Sequence, residues 1–312
     1  MGWSRKDLLH IEELPAKEIQ LILNTAKPMK EIMSRAVKKL PTFRGKSVYN
    51  LFFESSTRTR TSFETAAKIL GADTSSLAVA QSSLNKGETL LDTVRTLQAM
   101  KPDLVVIRHS SSGAAQFLAK ELKAGVINAG DGQHEHPTQA LLDLYTMQER
   151  LGSVEGRKIL LVGDILHSRV ARSNVWALKN LGAEVVLVGP PTLLPPEIKS
   201  WGVKTTFNLD EELPGSDVIM ALRLQLERQQ SGLLPSLREY SQLYGITAER
   251  VKRTGKQTLI MHPGPVNRGV EIESSIANSS QSVIEEQVTN GVAVRMAIMY
   301  LLLGGGTAHV VD

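Results

Sequence analysis

Five consecutive residues that can donate hydrogen bonds, Ser56-Thr57-Arg58-Thr59-Arg60, follow a buried-looking run at 47–53. Behind them Phe63, Ala66, Ala67 and Leu70 repeat at i, i+3, i+4, i+7, which is one apolar helix face. Residues 56–59 therefore sit where a strand hands over to a helix. The first backbone N–H groups of a helix have no internal partner and point beyond its end. With hydroxyls and a guanidinium added, the result is an anion cradle suited to phosphate. The plainer alternative is a Ser/Thr cap beside two solvated arginines.

Other donors stand at later strand ends. Arg108 closes the run 104–108, and His136-Pro137-Thr138-Gln139 opens a helix with proline as its first residue. A helix N-terminus disfavours a charged imidazole, and a neutral one can donate to a carbonyl oxygen; a simple capping turn is the alternative. Lys86 shares a polar loop with Ser82, Ser83 and Gly87. Solvation is its default reading, but such a loop can reach an anion. Arg169 stands in the first turn of a helix, where a cation opposes the dipole. That choice is easier to explain if Arg169 holds a carboxylate. Arg223 and Gln225, two apart in extended chain, can face one way. Two arginines are natural forks for a dicarboxylate, with surface ion pairing the alternative and the preferred reading for Arg228.

His262-Pro263-Gly264-Pro265 fixes an unusual backbone path, whose carbonyls can accept from a bound amine or amide; otherwise it is a rigid turn. His134-Glu135-His136 suggests a metal centre, but no further ligand at sensible spacing accompanies it, so no metal is expected. The turn at Gly163 lacks the second and third glycines of a dinucleotide fingerprint. No cofactor is expected.

The elements that carry these groups alternate between strand and helix. A helix opens at Pro15, with Pro28 kinking or bounding it, and strands are expected at 47–53, 75–80, 104–108 and 126–128, with a helix at 137–150. After a boundary at 151–156 the pattern restarts with strands at 158–163, 184–188, 203–206, 217–222 and 258–261 and a helix at 168–181. A last helix at about 283–304 has Val288, Val292, Ile298 and Leu301 requiring burial. The implied fold is α/β, with two doubly wound domains, each a parallel sheet flanked by helices. The first domain spans 1–150 and is completed by the C-terminal helix; the second spans 151–282. Ligands of such sheets bind beyond the carboxyl ends of the strands, where these polar motifs cluster.

The 312 residues carry a formal net charge of +4, with no basic stripe for nucleic acid. The absence of cysteine removes disulfides, thiolate metal sites and cysteine nucleophiles, and fits a cytoplasmic protein. The longest apolar run, 292–303, is broken by Arg295 and is too short for a membrane span.

Together these residues resemble the catalytic chains of the aspartate carbamoyltransferase family. The similarity runs in order along almost the whole chain: Ser56-Thr57-Arg58-Thr59-Arg60, Ser83-Leu84-Asn85-Lys86-Gly87-Glu88-Thr89, His136-Pro137-Thr138-Gln139, Arg169, Arg223-Leu224-Gln225 and His262-Pro263. The first and third motifs mark transcarbamoylases in general. The Lys-Gly-Glu-Thr and Arg-x-Gln segments point to aspartate rather than ornithine, whose enzymes typically carry a His-Cys-Leu-Pro segment. Gly264 departs from the family's Pro-Leu-Pro form. The resemblance implies carbamoyl transfer from carbamoyl phosphate to L-aspartate. It implies that Ser56, Thr57, Arg58 and Thr59 hold phosphate, and that Thr59, Arg108 and His136 polarise the carbonyl. Gln139 and the backbone at Gly264 and Pro265 would hold the amide, and Arg169, Arg223 and Gln225 the aspartate. Ser83 and Lys86 would reach in from a neighbouring chain, which makes the working unit a homotrimer. A higher assembly with regulatory chains or another pyrimidine-pathway enzyme stays open.

Overall fold

Runs such as Leu104-Val105-Val106-Ile107 and Ile159-Leu160-Leu161-Val162 show no polar alternation, so both faces of their sheets must be covered. In the computed structural model, which describes residues 3–77, 89–225 and 232–304, they lie in two all-parallel sheets belonging to two compact units. Unit 1 comprises Met1–Leu142 and Thr289–Asp312; unit 2 comprises Asp143–Val288.

Unit 1 begins with α1 (Ala16–Met33), which buries Ile19, Ile22, Leu23, Ala26, Met29 and Ile32 along one face. Pro28 lies inside α1 and does not end it. There follow β1 (Ser47–Phe52), α2 (Thr57–Ile69), β2 (Asp73–Leu77), α3 (Leu90–Ala99), β3 (Leu104–His109), α4 (Ala114–Glu121), β4 (Gly125–Asp131) and the start of α5 (Pro137–Leu151). The sheet order is β2-β1-β3-β4. On one face Leu51, Val105, Ile107 and Val126 pack with Val94 and Leu97 of α3 and Ala114, Ala115 and Leu118 of α4. The chain winds from β1 to β2 on one side, then returns to lay β3 and β4 on the other. The carboxyl ends of β1 and β3 therefore border the point where the winding reverses, which is where such sheets open a crevice for ligands.

Unit 2 repeats the plan with β5 (Lys158–Val162), α6 (Arg169–Asn180), β6 (Glu184–Val188), β7 (Lys204–Thr206), α7 (Leu209–Glu212), β8 (Val218–Ala221), α8 (Leu237–Tyr244), α9 (Ala248–Arg253), β9 (Leu259–Met261), α10 (Ser274–Ala277) and α11 (Ile284–Leu302), which continues into unit 1. Its order is β7-β6-β5-β8-β9, so the reversal falls between β5 and β8. Leu160, Val162, Val186, Val188, Ile219, Ala221 and Ile260 face a layer that includes Tyr240, Tyr244, Val251, Ile272 and Ile276.

Several boundaries differ from the sequence expectation. β2 starts at Asp73 and is described to Leu77, and residues 78–80 lie outside the described residues. β4 extends from Gly125 to Asp131 rather than over 126–128, and helices α4 and α7–α10 were not anticipated. In α11, Val292, Ile298 and Leu301 are buried but Val288 is 57% exposed. Its neighbour Gln287 takes the inward position, donating to Asp143 and accepting from the His262 amide, and the helical turn of about 100° per residue carries Val288 outward. No described helix is long and apolar enough to cross a membrane.

The two strands that border each reversal are fastened at their amino ends by the same device. Asp103, just before β3, accepts from the Ser47 amide (2.9 Å) and Lys46 Nζ (2.9 Å) at the start of β1. Asp217, just before β8, accepts from the Lys158 amide (3.0 Å) and Arg157 Nη1 (3.2 Å) at the start of β5, and from Lys256 Nζ (2.8 Å). Burial opposes both charged carboxylates. The hydrogen bonds from Lys46 and Ser47, and from Lys256 and Lys158, outweigh it and hold both groups below the ordinary 3.8. A depressed folded-state value contributes stability above the unfolded-state value and loses it as pH falls through the folded one. Stability is therefore expected to fall as pH drops below about 4, and Asp217→Asn should flatten that fall; urea titrations between pH 5 and 3 would measure both.

Candidate active site

In unit 1 the strand register brings the donors to one edge. Phe52 pairs with Arg108 across β1 and β3, the Phe53 amide donates to the Arg108 carbonyl (2.9 Å), and His109 pairs with Asp131 across β3 and β4. Ser56 is the N-cap of α2, yet its side chain makes no capping bond; its Oγ donates to Thr59 Oγ1 at 3.0 Å. The helix end is thus not closed by its own cap residue, as an anion site requires. Thr59 is buried, while Thr57 and Arg58 are exposed at the rim.

Arg108 is held in place. Its Nη2 donates to Glu54 Oε1 (2.8 Å) and its Nη1 to the Ala129 carbonyl (3.3 Å). Glu54 is a residue that sequence reasoning missed; its one signal was its place at a strand end next to the donor run. His136, directly before α5, and Gln139 in its first turn are both buried, and the His136 carbonyl accepts from the Gln139 amide. The turn before His136 is built on Asp131, whose Oδ1 accepts from Asn128 Nδ2 (2.9 Å) and the Glu135 amide (3.1 Å) and whose Oδ2 accepts from the Gly113 amide (2.7 Å).

In unit 2, Arg169 opens α6 as expected and is 4% exposed, with Ser168 Oγ accepting from the Ala171 amide behind it. Arg223 Nη1 donates to Gln225 Oε1 (3.3 Å), so the two side chains do face the same way. Two buried carboxylates position these groups, and neither was foreseen. Asp164 accepts from the His167 amide and ring before α6 and from the Gln225 amide after β8. Glu271 accepts from the Leu224 amide (2.8 Å), the Asn267 amide (2.9 Å) and Asn267 Nδ2 (2.7 Å).

Glu271 also binds His262 Nε2 at 2.8 Å. The Gly264 amide donates to His262 Nδ1 (2.8 Å), and an amide can only donate, so the ring proton sits on Nε2 and points to Glu271. Glu271 thus fastens the 223–225 segment to the 262–267 turn. In that turn Gly264 has φ 69°, a left-handed conformation that glycine adopts without strain, and Gly264-Pro265 is cis. Removing the carboxylate orphans the buried Leu224 amide and the buried His262 Nε2–H, at about 1–3 kcal/mol each, and leaves the part-buried Asn267 amide without this acceptor. Glu271→Ala is expected to destabilise unit 2 by roughly 2–5 kcal/mol in chemical denaturation. Ser83, Lys86 and Arg228 lie outside the described residues.

Each unit by itself thus gathers cations and donors at the carboxyl ends of its strands. The described carboxylates beside them, Glu54, Asp164 and Glu271, are committed to protein partners. This inventory can hold phosphate on one unit and carboxylates on the other.

Known proteins agree with that inventory. Residues 6–149 match the aspartate/ornithine carbamoyltransferase carbamoyl-P binding domain, and residues 155–302 match the Asp/Orn binding domain of the same family. An aspartate carbamoyltransferase catalytic subunit from Desulfitobacterium hafniense is 99% identical over 100% of both chains, and one from Moorella thermoacetica is 59% identical over 98% of this chain and 99% of its own. The crystal structure of aspartate transcarbamoylase from Trypanosoma cruzi in complex with carbamoyl phosphate and aspartate superposes with a TM-score of 0.85 at 31% identity, covering 96% of this chain and 95% of that one. Ornithine carbamoyltransferase from Pyrococcus furiosus gives 0.85 at 29% identity over 98% and 99%. From its strand-end donors to its full-length relatives, this chain belongs to the aspartate/ornithine carbamoyltransferase family.

Proposed function

We propose a division of labour in which residues 1–150, completed by the helix at about 283–304, hold carbamoyl phosphate, and residues 151–282 hold L-aspartate. The chain transfers the carbamoyl group to L-aspartate, forming N-carbamoyl-L-aspartate and phosphate, as in pyrimidine biosynthesis. Ser56, Thr57, Arg58 and Thr59 bind the phosphate. Thr59, Arg108 and His136 donate to the carbonyl oxygen as it becomes an oxyanion, and Gln139 with the backbone at Gly264 and Pro265 holds the amide. Arg169, Arg223 and Gln225 bind the carboxylates of aspartate. Ser83 and Lys86 complete the site of a neighbouring chain, so the working unit is a homotrimer. The protein works in the cytoplasm.

The observation that carries this reading is a helix start in unit 1 whose cap residue leaves it open, with Arg108 at a neighbouring strand end, while unit 2 carries Arg169 at the start of α6 and Arg223 after β8. No nucleophilic side chain is required, because the amine of aspartate attacks the carbonyl carbon directly. The protein supplies position and charge stabilisation. The amine nitrogen forms the new bond to carbon, the bond from carbon to the phosphate oxygen breaks, and the leaving phosphate takes the amine proton. That last step is supported by the bonded state of the described carboxylates Glu54, Asp164 and Glu271.

The test is to incubate the purified protein with carbamoyl phosphate and either L-aspartate or L-ornithine and to measure ureido product. Product with aspartate and none with ornithine is expected. Product with ornithine alone would keep the phosphate site and overturn the acceptor site.

A further inference from the structure

Two residues before His136 the chain carries a second cluster of metal-type ligands that carbamoyl transfer does not use. One ring nitrogen each of His10 and His134 and one carboxylate oxygen of Glu135 all lie within 4.8 Å of one another. The two imidazoles meet edge to face, with ring centroids 5.3 Å apart. His10 comes from the segment before α1, and the other two from the turn between β4 and α5. Sequence spacing around His134 therefore did not reveal the third ligand.

We propose that His10, His134 and Glu135 bind a divalent transition-metal ion of the Zn2+, Ni2+ or Co2+ class. Two imidazoles and a carboxylate are a ligand set that such ions prefer, with water filling the fourth position. Bonds of about 2.0–2.2 Å place tetrahedral ligand atoms roughly 3.3–3.6 Å apart, so atoms that already lie within 4.8 Å of one another need to close by no more than about 1.5 Å, chiefly by movement of the two imidazoles.

Three features favour the ion. Glu135 is 1% exposed, and its carboxylate is fixed by the Ile11 amide (2.7 Å) and the Glu12 amide (3.4 Å), which follow His10 directly. His134 Nδ1 lies 3.2 Å from Asp131 Oδ2, and Asp131 is itself anchored by Asn128 and Gly113. A carboxylate of this kind beside a ligating imidazole orients the ring and raises its basicity. Glu12, Glu13 and Asp131 add negative charge around His10, which suits a cation. The ion would tie the N-terminal segment, already joined to β4 through the Leu8 amide and the Val126 carbonyl, to the turn that leads into His136.

The test uses the full chain, stripped with a chelator, and compares wild type with His10→Ala and His134→Ala. Zn2+ binding is read by competition with a chromophoric chelator, and melting is followed with and without Zn2+, with Mg2+ as the control. Wild type should bind one ion that each variant loses, and at about 100 times Kd its apparent melting temperature should rise by about 3–5 °C with Zn2+ but not with Mg2+. Each variant is compared with its own metal-free form, so a folding defect does not imitate loss of the site. Visible absorption of a Co2+ complex in wild type provides a reading that needs no variant, with the intense bands of a tetrahedral site expected. Absence of binding, a Co2+ spectrum of the hexaaqua type, or equal stoichiometry in both variants would overturn the proposal.

Discussion

Arg108→Ala is expected to lower kcat by about 100- to 1000-fold, the usual consequence of losing one oxyanion donor. The expectation rests on how the side chain is held. Arg108 projects from the carboxyl end of β3, and its guanidinium is steadied by Glu54 Oε1 and the Ala129 carbonyl. Those bonds tie the guanidinium to its own unit, so in the proposed role the donor needs little reorganisation during reaction. Alanine removes both the charge and the fork, whereas Arg108→Lys restores the charge alone and should recover only part of the rate. Glu54→Gln leaves the donor present but less firmly aimed, so its loss should be smaller. Steady-state kinetics at saturating aspartate would separate the three. Near-wild-type turnover in Arg108→Ala would remove Arg108 from the oxyanion role.

Arg223→Ala is expected to act on the other substrate. A fork-to-carboxylate contact makes two charge-assisted hydrogen bonds, each contributing about 1.5–3 kcal/mol, so kcat/KM for aspartate should fall by roughly 150- to 25,000-fold. Binding of carbamoyl phosphate alone, followed calorimetrically, should change little. Arg223→Lys should recover little, because a single ammonium group cannot reproduce two parallel bonds. Gln225 accepts from Arg223 Nη1, so Gln225→Ala should produce a weaker form of the same defect. An unchanged aspartate KM in Arg223→Ala would move the acceptor site elsewhere.

Much of this architecture was legible in the sequence. Both sheets follow from apolar runs that demand cover on two faces, and the donor motifs among the described residues do stand at strand ends, because tight turns and helix starts have strong local signatures. What escaped was whatever depends on partners distant in sequence. Glu54 and Glu271 look like ordinary acidic residues until the strand register brings Arg108 beside one and the Leu224 amide beside the other. The helix α4 escaped because Ala114, Ala115 and Ala119 give only a faint apolar stripe, which the neighbouring sheet completes. Val288 was placed inward by its type, while Gln287 won the interior through hydrogen bonds that periodicity cannot register.

The fastened amino ends of the paired strands have a practical consequence. Substrate chemistry is assigned to the opposite, carboxyl edge of each sheet, so the amino edge is a natural place for attachments. The chain contains no cysteine, and any thiol introduced there would be unique. Met100, 55% exposed ahead of β3, and Gln257, exposed ahead of β9, are the natural choices. A fluorophore or surface tether at either position would leave the proposed anion-binding residues unobstructed, so an immobilised or labelled preparation is expected to retain activity.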